Sequence, residues 1–492
     1  MEGSVNLEQC AVRSRWIFAL ICVWYCAGAQ GTVTYIVSPV LDQSEHLIAL
    51  KVQMNLKGDA DGETQLRLPN EFGSANHLYR CFSRVRSESG HPILLSTDSL
   101  DVLVKHDAND SISISYEVGQ DWRGTVPSAI LAFRPWISPT AFHVLGVGLF
   151  IAPFAKSGYM VSTKWQGFPP NWLLHNSYGT MQMTQTWMAE DTRWMESVFI
   201  GGLGWRLSET KVAGKPIYLA IRGEGWTFSD TAVLSLLNQT VAHQRSFWKD
   251  YAIPYYTVTI MPMTAPDGYT SYLGTGLVHS FATFATPVTG LELSDLARLF
   301  HHELMHDWIG VKIRNGGQPN DMQLAWFSEG FTEYFSYLNQ LHCGSLDTSA
   351  YILAINERFF KGLWESAAAE QPNSYIIANF FNNQDANELP YLRGFVLAYH
   401  LDRLIEKKSQ NRRGLHDIML EFLEYYYKGN RDVLTNFDHF LTVLTKETGQ
   451  NIKKMHEDYI TNGKLIPSSQ LLPMRGFSIS INEKGQPRMG LK

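Results

Sequence analysis

Short runs of alternating or β-branched residues dominate the first 225 residues of the chain. Examples are VTYIVS, LIALKVQMNL, SISISYEV and PIYLAIRG, and Gly, Pro, Asn and Asp residues separate such runs. A hydrophobic period of two with turn residues between the runs is typical of β-strands. The pattern therefore predicts a β-rich domain over residues 30–225.

The pattern changes from a period of two to the helical period near Ser229. Ser229 and Asp230 precede a run with apolar residues at helical spacing, which indicates a helix N-terminus. One strand, YYTVTIMPM, follows before the helical period returns. The later helical segments are LELSDLARLFHHELMHDWIG, LAWFSEGFTEYFSYLNQL, PYLRGFVLAYHLDRLIEKK and GLHDIMLEFLEYYYKG. We therefore expect a second, mainly α-helical domain over residues 226–466, with residues 467–492 as a C-terminal tail.

The first 29 residues have the pattern of an export signal. Two arginines precede a short apolar stretch, WIFALICVWYCAGA, whose Ala27-Gly28-Ala29 end suits cleavage by a signal peptidase. This stretch is shorter than the roughly 20 apolar residues of a membrane-spanning helix, and an uncleaved anchor is the alternative. The sequence thus predicts residues 1–29 as a signal peptide, a secreted or periplasmic protein, and no stable membrane span after cleavage.

Composition excludes one class of partner. The chain has 492 residues, of which 45% are hydrophobic and 18% charged, so it can bury substantial cores in two or three domains. Its 41 basic and 47 acidic residues give a mild net charge of −6, and no basic run would follow a phosphate backbone. Nucleic acid is therefore not an expected partner. After signal cleavage Cys81 and Cys343 remain, one in each domain, and we expect two separate buried thiols.

The segment FHHELMHDWIG, residues 300–310, contains three histidines within six residues. If it is helical, His302 and His306 lie one turn apart on one face, the spacing that allows two imidazoles to bind one Zn²⁺. Glu303 is then close to the metal and can accept a proton from an activated water without being a ligand. The alternative is a solvated polar face of a helix, which this motif alone does not exclude.

A pair of glutamates further along the chain supplies the third metal ligand that the histidine motif lacks. Catalytic zinc usually has three protein ligands, and the segment WFSEGFTEYF places Glu329 and Glu333 four residues apart on one helical face. Two carboxylates among so many aromatic residues would be costly to bury without a cation. We therefore assign Glu329 as the third ligand and Glu333 as the carboxylate that orients a ligand imidazole. Gly330 is unfavourable in a helix by about 1 kcal/mol, and we expect it where the helix packs closely beside the metal.

Together the segments HELMH and WFSEGFTEY resemble the gluzincin metallopeptidases, and most closely the glycyl aminopeptidase family. Members of that family carry H-E-x-x-H followed by W-F-x-E-G-F-T-x-Y. The resemblance implies a multidomain β plus α+β protein, in which an N-terminal β-rich domain precedes a thermolysin-like, mainly α catalytic domain. Many members continue into a PDZ domain, which we do not expect here because only residues 467–492 follow the catalytic domain.

The resemblance also assigns roles that spacing alone would not give. PYLRGF is similar to the family's Y-x-K-G segment, with Arg393 in place of lysine, and this implies that Tyr391 stabilises the oxyanion of the tetrahedral intermediate. GTGLVHS is similar to the family's G-G-L-E-H-x-x-S, which assigns Gly276, Val278 and His279 to the substrate cleft. Val278 occupies the position of the glutamate that would bind a substrate's free amine. We therefore expect altered recognition of the amino terminus.

The sequence as a whole predicts an exported enzyme that hydrolyses peptide bonds with one Zn²⁺ per chain. The expected activity is aminopeptidase-like with altered recognition of the N-terminal amine, and the expected partner is a peptide substrate. One alternative is an endopeptidase or dipeptidase that needs no free amino terminus. The other is a catalytically inactive peptide-binding protein on the same fold. The sequence leaves the oligomeric state open.

Overall fold

The computed structural model describes residues 31–73, 75–96, 100–123, 133–154, 158–180, 184–189, 192–264, 272–287, 291–314, 322–430 and 436–492. The predicted signal peptide, residues 1–29, lies outside the described residues. Within the described ranges, no helix combines the length and the apolar character needed to cross a bilayer. Because the predicted signal peptide lies outside the described residues, export stays a prediction.

Strands make up most of the first half of the described chain, as the period of two predicts, and five further strands lie in the second half. They are β1 (Thr32–Leu41), β2 (Leu47–Lys57), β3 (Glu63–Arg67), β4 (Phe82–Ser87), β5 (Ile93–Leu95), β6 (Asp101–Lys105), β7 (Ser111–Val118), β8 (Trp136–Ser138), β9 (Ala141–Leu145), β10 (Ala152–Pro153), β11 (Tyr159–Trp165), β12 (Leu173–Asn176), β13 (Gly179–Thr180), β14 (Thr184–Ala189), β15 (Val198–Gly202), β16 (Trp205–Val212), β17 (Lys215–Arg222), β18 (Tyr256–Pro262), β19 (Tyr272–Leu277), β20 (Ser280–Ala285), β21 (Phe477–Ile481) and β22 (Pro487–Leu491).

Helices dominate the second half. They are α1 (Asp230–Trp248), α2 (Leu293–Glu303), α3 (Ala325–Ser328), α4 (Gly330–Cys343), α5 (Thr348–Ala354), α6 (Gly362–Glu365), α7 (Asn373–Asn379), α8 (Gln384–Ser409), α9 (Leu415–Tyr427), α10 (Phe437–Thr448) and α11 (Ile452–His456). A 3-10 turn over Leu304–Asp307 follows α2, and a π-helical segment over Ile355–Lys361 joins α5 to α6. The predicted order, a β-rich part followed by a mainly α part, is confirmed.

Contacts between residues divide the chain into two compact units. The first runs to Lys211 and adds Lys215–Asp230 and Pro254–Leu291. The second comprises Val212–Gly214, Thr231–Ile253 and Glu292–Lys492. The predicted domain limits, 30–225, 226–466 and 467–492, stay predictions. The compact units differ from them in placing residues 254–291 with the first unit.

The first unit is built on β-sheets whose strand order is not sequential. Its six-stranded sheet has the order β14-β11-β1-β2-β7-β4, with β1 parallel to β11 and antiparallel to β2. Val33, Tyr35 and Val37 alternate into the core along β1, which is the burial pattern of a strand with one covered face. A five-stranded sheet, β16-β17-β18-β20-β19, ends in the edge strand β19. Cys81 is a buried free thiol in this unit.

The second unit packs its helices around one aromatic-rich core, in which α8 is the longest helix of the described residues. Asp402 on α8 accepts hydrogen bonds from the phenol of Tyr334 on α4 and from the backbone N–H of Leu415 at the start of α9. These bonds fix three helices to one another. Cys343 at the end of α4 is a free thiol but is partly exposed, so the expectation that it is buried is wrong. Cys343 is the last residue of α4. Gly344 follows it with φ of 74°, a left-handed conformation that ends the helix.

The chain turns sharply after α2, and the predicted single helix over residues 291–310 is wrong beyond Glu303. There the α-helix tightens into a 3-10 turn, and Gly310, with φ of +89°, reverses the chain. The buried carboxylate of Asp250 accepts hydrogen bonds from Trp308 Nε1 at 2.8 Å and Lys312 Nζ at 2.6 Å. These bonds hold the reversed segment against the end of α1, which prevents α2 from continuing as a straight helix.

Candidate metal centre

Three side chains from the two predicted motifs converge in the second unit. His302 lies in the last turn of α2, His306 in the 3-10 turn, and Glu329 at the junction of α3 and α4. The two Nε2 atoms are 3.2 Å apart, and Glu329 Oε2 lies 3.2 Å from His302 Nε2 and 3.5 Å from His306 Nε2. In the described residues this is the one group of three such ligand atoms within 4.8 Å of one another.

The separations of these atoms fit a tetrahedral metal. Ligand atoms that each lie about 2.1 Å from a tetrahedral zinc stand about 3.4 Å from one another. The three separations of the group, 3.2, 3.2 and 3.5 Å, are close to that value. Two imidazole nitrogens and one carboxylate oxygen are also a donor set that catalytic zinc uses, with the fourth position left for water or substrate. The donor set therefore fits Zn²⁺.

Each ligand imidazole has an acceptor facing its second nitrogen. Glu333 Oε1 lies 3.6 Å from His302 Nδ1. His306 Nδ1 lies 3.3 Å from the carbonyl oxygen of Ile309 and 3.3 Å from Thr332 Oγ1. A proton held on Nδ1 leaves Nε2 free as a metal ligand, so these contacts favour the tautomer that a metal needs. The backbone carbonyl of Ile309 and the hydroxyl of Thr332 were not predicted from the sequence.

The electrostatics of the site favour a cation. Burial works against a charged imidazole, but the nearby carboxylates of Glu329 and Glu333 raise the pKa of His302 to about 10. Burial likewise opposes protonation of His306, and the Glu329 charge raises its pKa. Burial favours neutral Glu329, yet the two imidazoles lower its pKa well below the usual range. A metal must displace any proton on the two Nε2 atoms to bind.

Glu303 and Tyr391 complete the predicted catalytic set. Burial raises the pKa of Glu303, partly offset by the two nearby histidines. Tyr391 on α8 has its ring centre 5.7 Å from that of His302. Burial, followed by the charges of Glu329 and Glu303, raises the pKa of the Tyr391 phenol well above its ordinary value. The phenol therefore keeps its proton and can donate a hydrogen bond. The structure brings both residues to the candidate metal centre, and their catalytic roles stay predictions.

Two glycines allow α4 and α8 to cross closely beside the site. A methyl group on Gly330 would lie 2.8 Å from the backbone nitrogen of Phe395 and would meet the backbone of Gly394. Gly330 therefore packs against α8 close to Glu329, as expected from its position in the motif. Arg393, which replaces the family's lysine, donates hydrogen bonds to the carbonyl oxygens of Ala369 and Gln371 at 3.0 and 2.8 Å. In this structure it holds a loop and is not part of the metal centre.

The residues assigned to the substrate cleft lie in the first unit, at the turn between β19 and β20. Gly276 is exposed near the end of β19, and Val278 and His279 form the turn. The backbone N–H of Val278 donates to the carbonyl of Glu196 at 2.7 Å, and His279 has φ of +49°. The turn is thus fixed by its backbone, and the side chain of Val278 is half-buried. The assignment of these residues to a substrate cleft stays a prediction.

Known proteins resemble parts of the chain in sequence. A family profile described as M61 glycyl aminopeptidase matches residues 295–375. Over 168 residues the chain is 26% identical to leucine aminopeptidase 2 of Aspergillus oryzae, which covers 33% of this chain and 25% of that protein. Over 194 residues it is 28% identical to leukotriene A-4 hydrolase of Xenopus laevis, covering 36% of this chain and 27% of that protein. These similarities support the resemblance to the gluzincin metallopeptidases that the sequence motifs indicate.

Solved structures resemble the chain over most of its length. The aminopeptidase N family protein of Idiomarina loihiensis has a TM-score of 0.72 at 18% identity, over 91% of this chain and 79% of that one. The M1 zinc metallopeptidase of Deinococcus radiodurans has a TM-score of 0.53 at 14% identity, over 91% and 97%. The predicted fold class is therefore confirmed. The sequence matches span only about a quarter of the length of the curated relatives, so they do not by themselves define this chain's activity.

Proposed function

We propose that the protein is a zinc-dependent peptidase of the aminopeptidase type. The observation that carries the proposal is the set of separations of 3.2–3.5 Å among the ligand atoms of His302, His306 and Glu329. These separations match a tetrahedral Zn²⁺ site with one open position. We propose one Zn²⁺ per chain, and the single such group among the described residues supports this number. Relatives named as leucine aminopeptidases, and the family profile over the same segment, support peptide bonds as the substrate.

Each residue around the site has a separate role in the proposed reaction. When bound, zinc supplies a Lewis acid that polarises the scissile carbonyl and promotes ionisation of a water. Glu303, whose pKa is raised by burial, accepts the proton of the attacking water and passes it to the leaving amine. Tyr391, held protonated by its surroundings, donates a hydrogen bond to the oxyanion of the tetrahedral intermediate. Glu333 keeps the imidazole of His302 in the tautomer that leaves Nε2 free.

Hydrolysis of a mixed peptide library by the purified protein tests the proposal. Zinc-loaded protein is expected to cleave peptides, chelation to abolish cleavage, and added zinc to restore it. A preparation that contains stoichiometric zinc but cleaves no peptide would instead support the alternative of a peptide-binding protein. Comparison of cleavage positions separates removal of single N-terminal residues from internal cleavage. Internal cleavage is the second candidate activity, and Val278 at the position of the amine-binding glutamate favours it.

We also propose that the protein is exported, with residues 1–29 removed as a signal peptide. The arginines followed by a short apolar stretch and the Ala27-Gly28-Ala29 sequence support this. N-terminal sequencing of the protein recovered from outside the cytoplasm is expected to begin at residue 30. A chain that stays in the membrane fraction with an intact N-terminus would support the uncleaved anchor.

A further inference from the structure

Arg358 makes an ion pair directly behind the candidate metal centre. It lies in the π-helical segment Ile355–Lys361, and its Nη2 donates to Glu333 Oε1 at 2.6 Å. The same carboxylate oxygen lies 3.6 Å from His302 Nδ1. Three side chains from three elements, α2, α4 and the π-helical segment, therefore form one row: imidazole, carboxylate and guanidinium. No sequence motif pointed to Arg358.

The burial of Glu333 makes this cation necessary. Only 3% of the Glu333 side chain is exposed, against 27% of the Arg358 side chain. The other carboxylate oxygen, Oε2, is buried without a hydrogen-bond partner. A buried carboxylate needs a positively charged or hydrogen-bonding partner close to it, and without one it tends to move towards water.

The charge and the position of Glu333 reach the metal centre through His302. An ionised carboxylate near Nδ1 keeps the proton there, orients the ring and makes Nε2 a better donor to a metal. A displaced Glu333 would release the ring to rotate and would move its negative charge away from His302. Since the 2.6 Å bond from Arg358 is shorter than the 3.6 Å approach of His302, the guanidinium sets the position of the carboxylate.

We propose that Arg358 is a positioning residue for the metal centre, which acts through Glu333 to hold His302 in its metal-binding orientation. The proposal rests on the proposed zinc site, since His302 is one of its ligands. Arg358 is not expected to touch the substrate or the metal. The adjacent residue Glu357, in the same π-helical segment, makes its ion pairs away from the metal centre. Glu357 pairs with Arg488 at 2.7 Å and with Lys361 at 3.1 Å, and both pairs are exposed at the surface.

These neighbours provide a matched control. Arg358→Met removes the guanidinium while keeping an unbranched side chain of moderate length. Arg488→Met makes the same change in β22, in the exposed pair with Glu357 of the π-helical segment. Arg358→Lys keeps the positive charge, and Arg358→Gln keeps a hydrogen-bond donor without the charge. The measurements are zinc affinity, by competition with a chelator of known affinity, and the visible absorption spectrum of the cobalt(II)-substituted protein. Circular dichroism of the metal-free variants checks that each is folded.

We expect Arg358→Met to weaken zinc binding by roughly 10- to 100-fold, the range found for outer partners of metal ligands, and to alter the cobalt(II) spectrum. Arg358→Lys should restore most of the affinity, Arg358→Gln should resemble Arg358→Met, and Arg488→Met should match the wild type. Wild-type affinity and an unchanged spectrum in Arg358→Met would overturn the proposal. Equal weakening in Arg488→Met would also overturn it, since the effect would then be a general loss of stability.

The readouts separate this inference from the proposed function. Zinc affinity and the cobalt(II) spectrum need no peptide hydrolysis. A wild-type protein that binds zinc but cleaves no peptide would refute the proposed activity, while weaker zinc binding in Arg358→Met would still support the role of Arg358. A peptidase whose zinc affinity is the same with and without Arg358 would refute the inference alone. A wild-type protein that binds no zinc would overturn both.

Discussion

Three glutamates of the metal centre are chemically identical, and their surroundings give them different properties. Glu329 lies between two imidazoles, and Glu333 lies between one imidazole and the guanidinium of Arg358, so that both carboxyl groups have lowered pKa values despite burial. Burial dominates at Glu303, and its pKa is raised. A group that accepts and then returns a proton needs a pKa nearer to neutral than an ordinary carboxylate has. Of the three, Glu303 is therefore suited to be the base, and the other two to hold the metal and its ligand.

Replacing the base should separate metal binding from catalysis. We expect Glu303→Gln to bind zinc as the wild type does and to lose roughly 10²- to 10⁴-fold in kcat, the usual contribution of a general base. The amide has the shape of the carboxylate but cannot accept the proton. Zinc content by metal analysis and kcat on a library-selected peptide measure the two effects. Near-wild-type turnover by the zinc-loaded variant would remove Glu303 from the mechanism.

The predicted position of Val278 in the substrate cleft bears on the choice between exopeptidase and endopeptidase activity. A carboxylate facing a substrate ammonium is worth about 1.5–3 kcal/mol, so its absence should cost roughly ten- to a hundredfold of the preference for a free amino terminus. We expect the wild type to cleave N-acetylated peptides at least as well as their free-amine counterparts. The ratio of kcat/KM for the two peptide forms is the measurement.

Val278→Glu should shift that ratio towards free amines, and Val278→Gln, of the same shape without charge, should not. The backbone of the turn is held by the bond from Val278 N–H to Glu196, so both variants change only the side chain. Strict release of single N-terminal residues by the wild type, with acetylated peptides untouched, would contradict the expectation. Another acidic group would then bind the amine.

The sequence could predict the ligand residues but not all of their partners. His302, His306 and Glu329 stand in local motifs, and the structure brings their ligand atoms together. Arg358 is 25 residues beyond Glu333 in the chain and belongs to no motif. Its contact with Glu333 depends on the register of a π-helical segment against α4, which is a property of tertiary packing. No signal within the sequence of this one chain identifies such a residue.

At the scale of elements, the hydrophobic periods of the sequence predicted which segments form strands or helices. They predicted the ends of those segments less well. β7 coincides with the alternating run SISISYEV, and α1 begins at Asp230, close to the predicted N-terminus. The helix α2, by contrast, stops at Glu303 because Trp308 and Lys312 bind the carboxylate of Asp250 on another part of the chain. Such a long-range contact overrides the local period, which continues without a break through residue 310.

The crossing of α4 and α8 is an element-scale feature that fixes the site. A methyl group on Gly394 would lie 2.8 Å from Gly330 Cα and would meet the carbonyl oxygen of Trp326. We expect Gly394→Ala to force the helices apart and to lower the free energy of unfolding by about 1–3 kcal/mol, the usual cost of overpacking. Because Tyr391 lies three residues away on α8, kcat should fall as well. Urea denaturation and steady-state kinetics measure the two changes.

Gly362→Ala is the matched control for this prediction. Gly362 is also helical, with φ of −55° and ψ of −44°, but a methyl group there would lie 3.5 Å from the Leu392 side chain, an ordinary contact. The free energy of unfolding of Gly362→Ala should therefore stay the same or rise, since alanine is more favourable than glycine in a helix by roughly 0.5–1 kcal/mol. If Gly394→Ala were as stable and as active as Gly362→Ala, the close crossing would not be needed to hold the site.

At the scale of the whole molecule, sheet pairing decides where residues 254–291 belong. β18 pairs in parallel with β17 and with β20, and this places the segment after α1 in the five-stranded sheet of the first unit. Strands that are separated by a helix in the chain can become neighbours in a sheet, and a local period carries no information about the pairing partner. The fold class could therefore be predicted from the order of elements, whereas the limits of the compact units required the pairing.

Zinc should act on the whole second unit through the few residues that bind it. His302, His306 and Glu329 come from α2, the 3-10 turn and the junction of α3 and α4, so one ion would join the end of α2 and the following turn to the start of α4. A ligand that binds only the folded state stabilises it by RT ln(1 + [L]/Kd), which is about 2.7 kcal/mol at a free concentration 100 times Kd. We expect this stabilisation by zinc to slow amide exchange in α2 and α4 and to raise the midpoint of thermal unfolding.

Hydrogen-exchange mass spectrometry with and without zinc measures that gain. In sub-global opening that releases the ion, 2.7 kcal/mol corresponds to roughly 100-fold slower exchange. Glu329→Ala is the control, because two imidazoles alone hold zinc weakly and the same zinc concentration should then leave exchange nearly unchanged. Exchange in α2 and α4 that is independent of zinc in the wild type would contradict the prediction. Equal slowing in Glu329→Ala would place the bound ion elsewhere in the molecule.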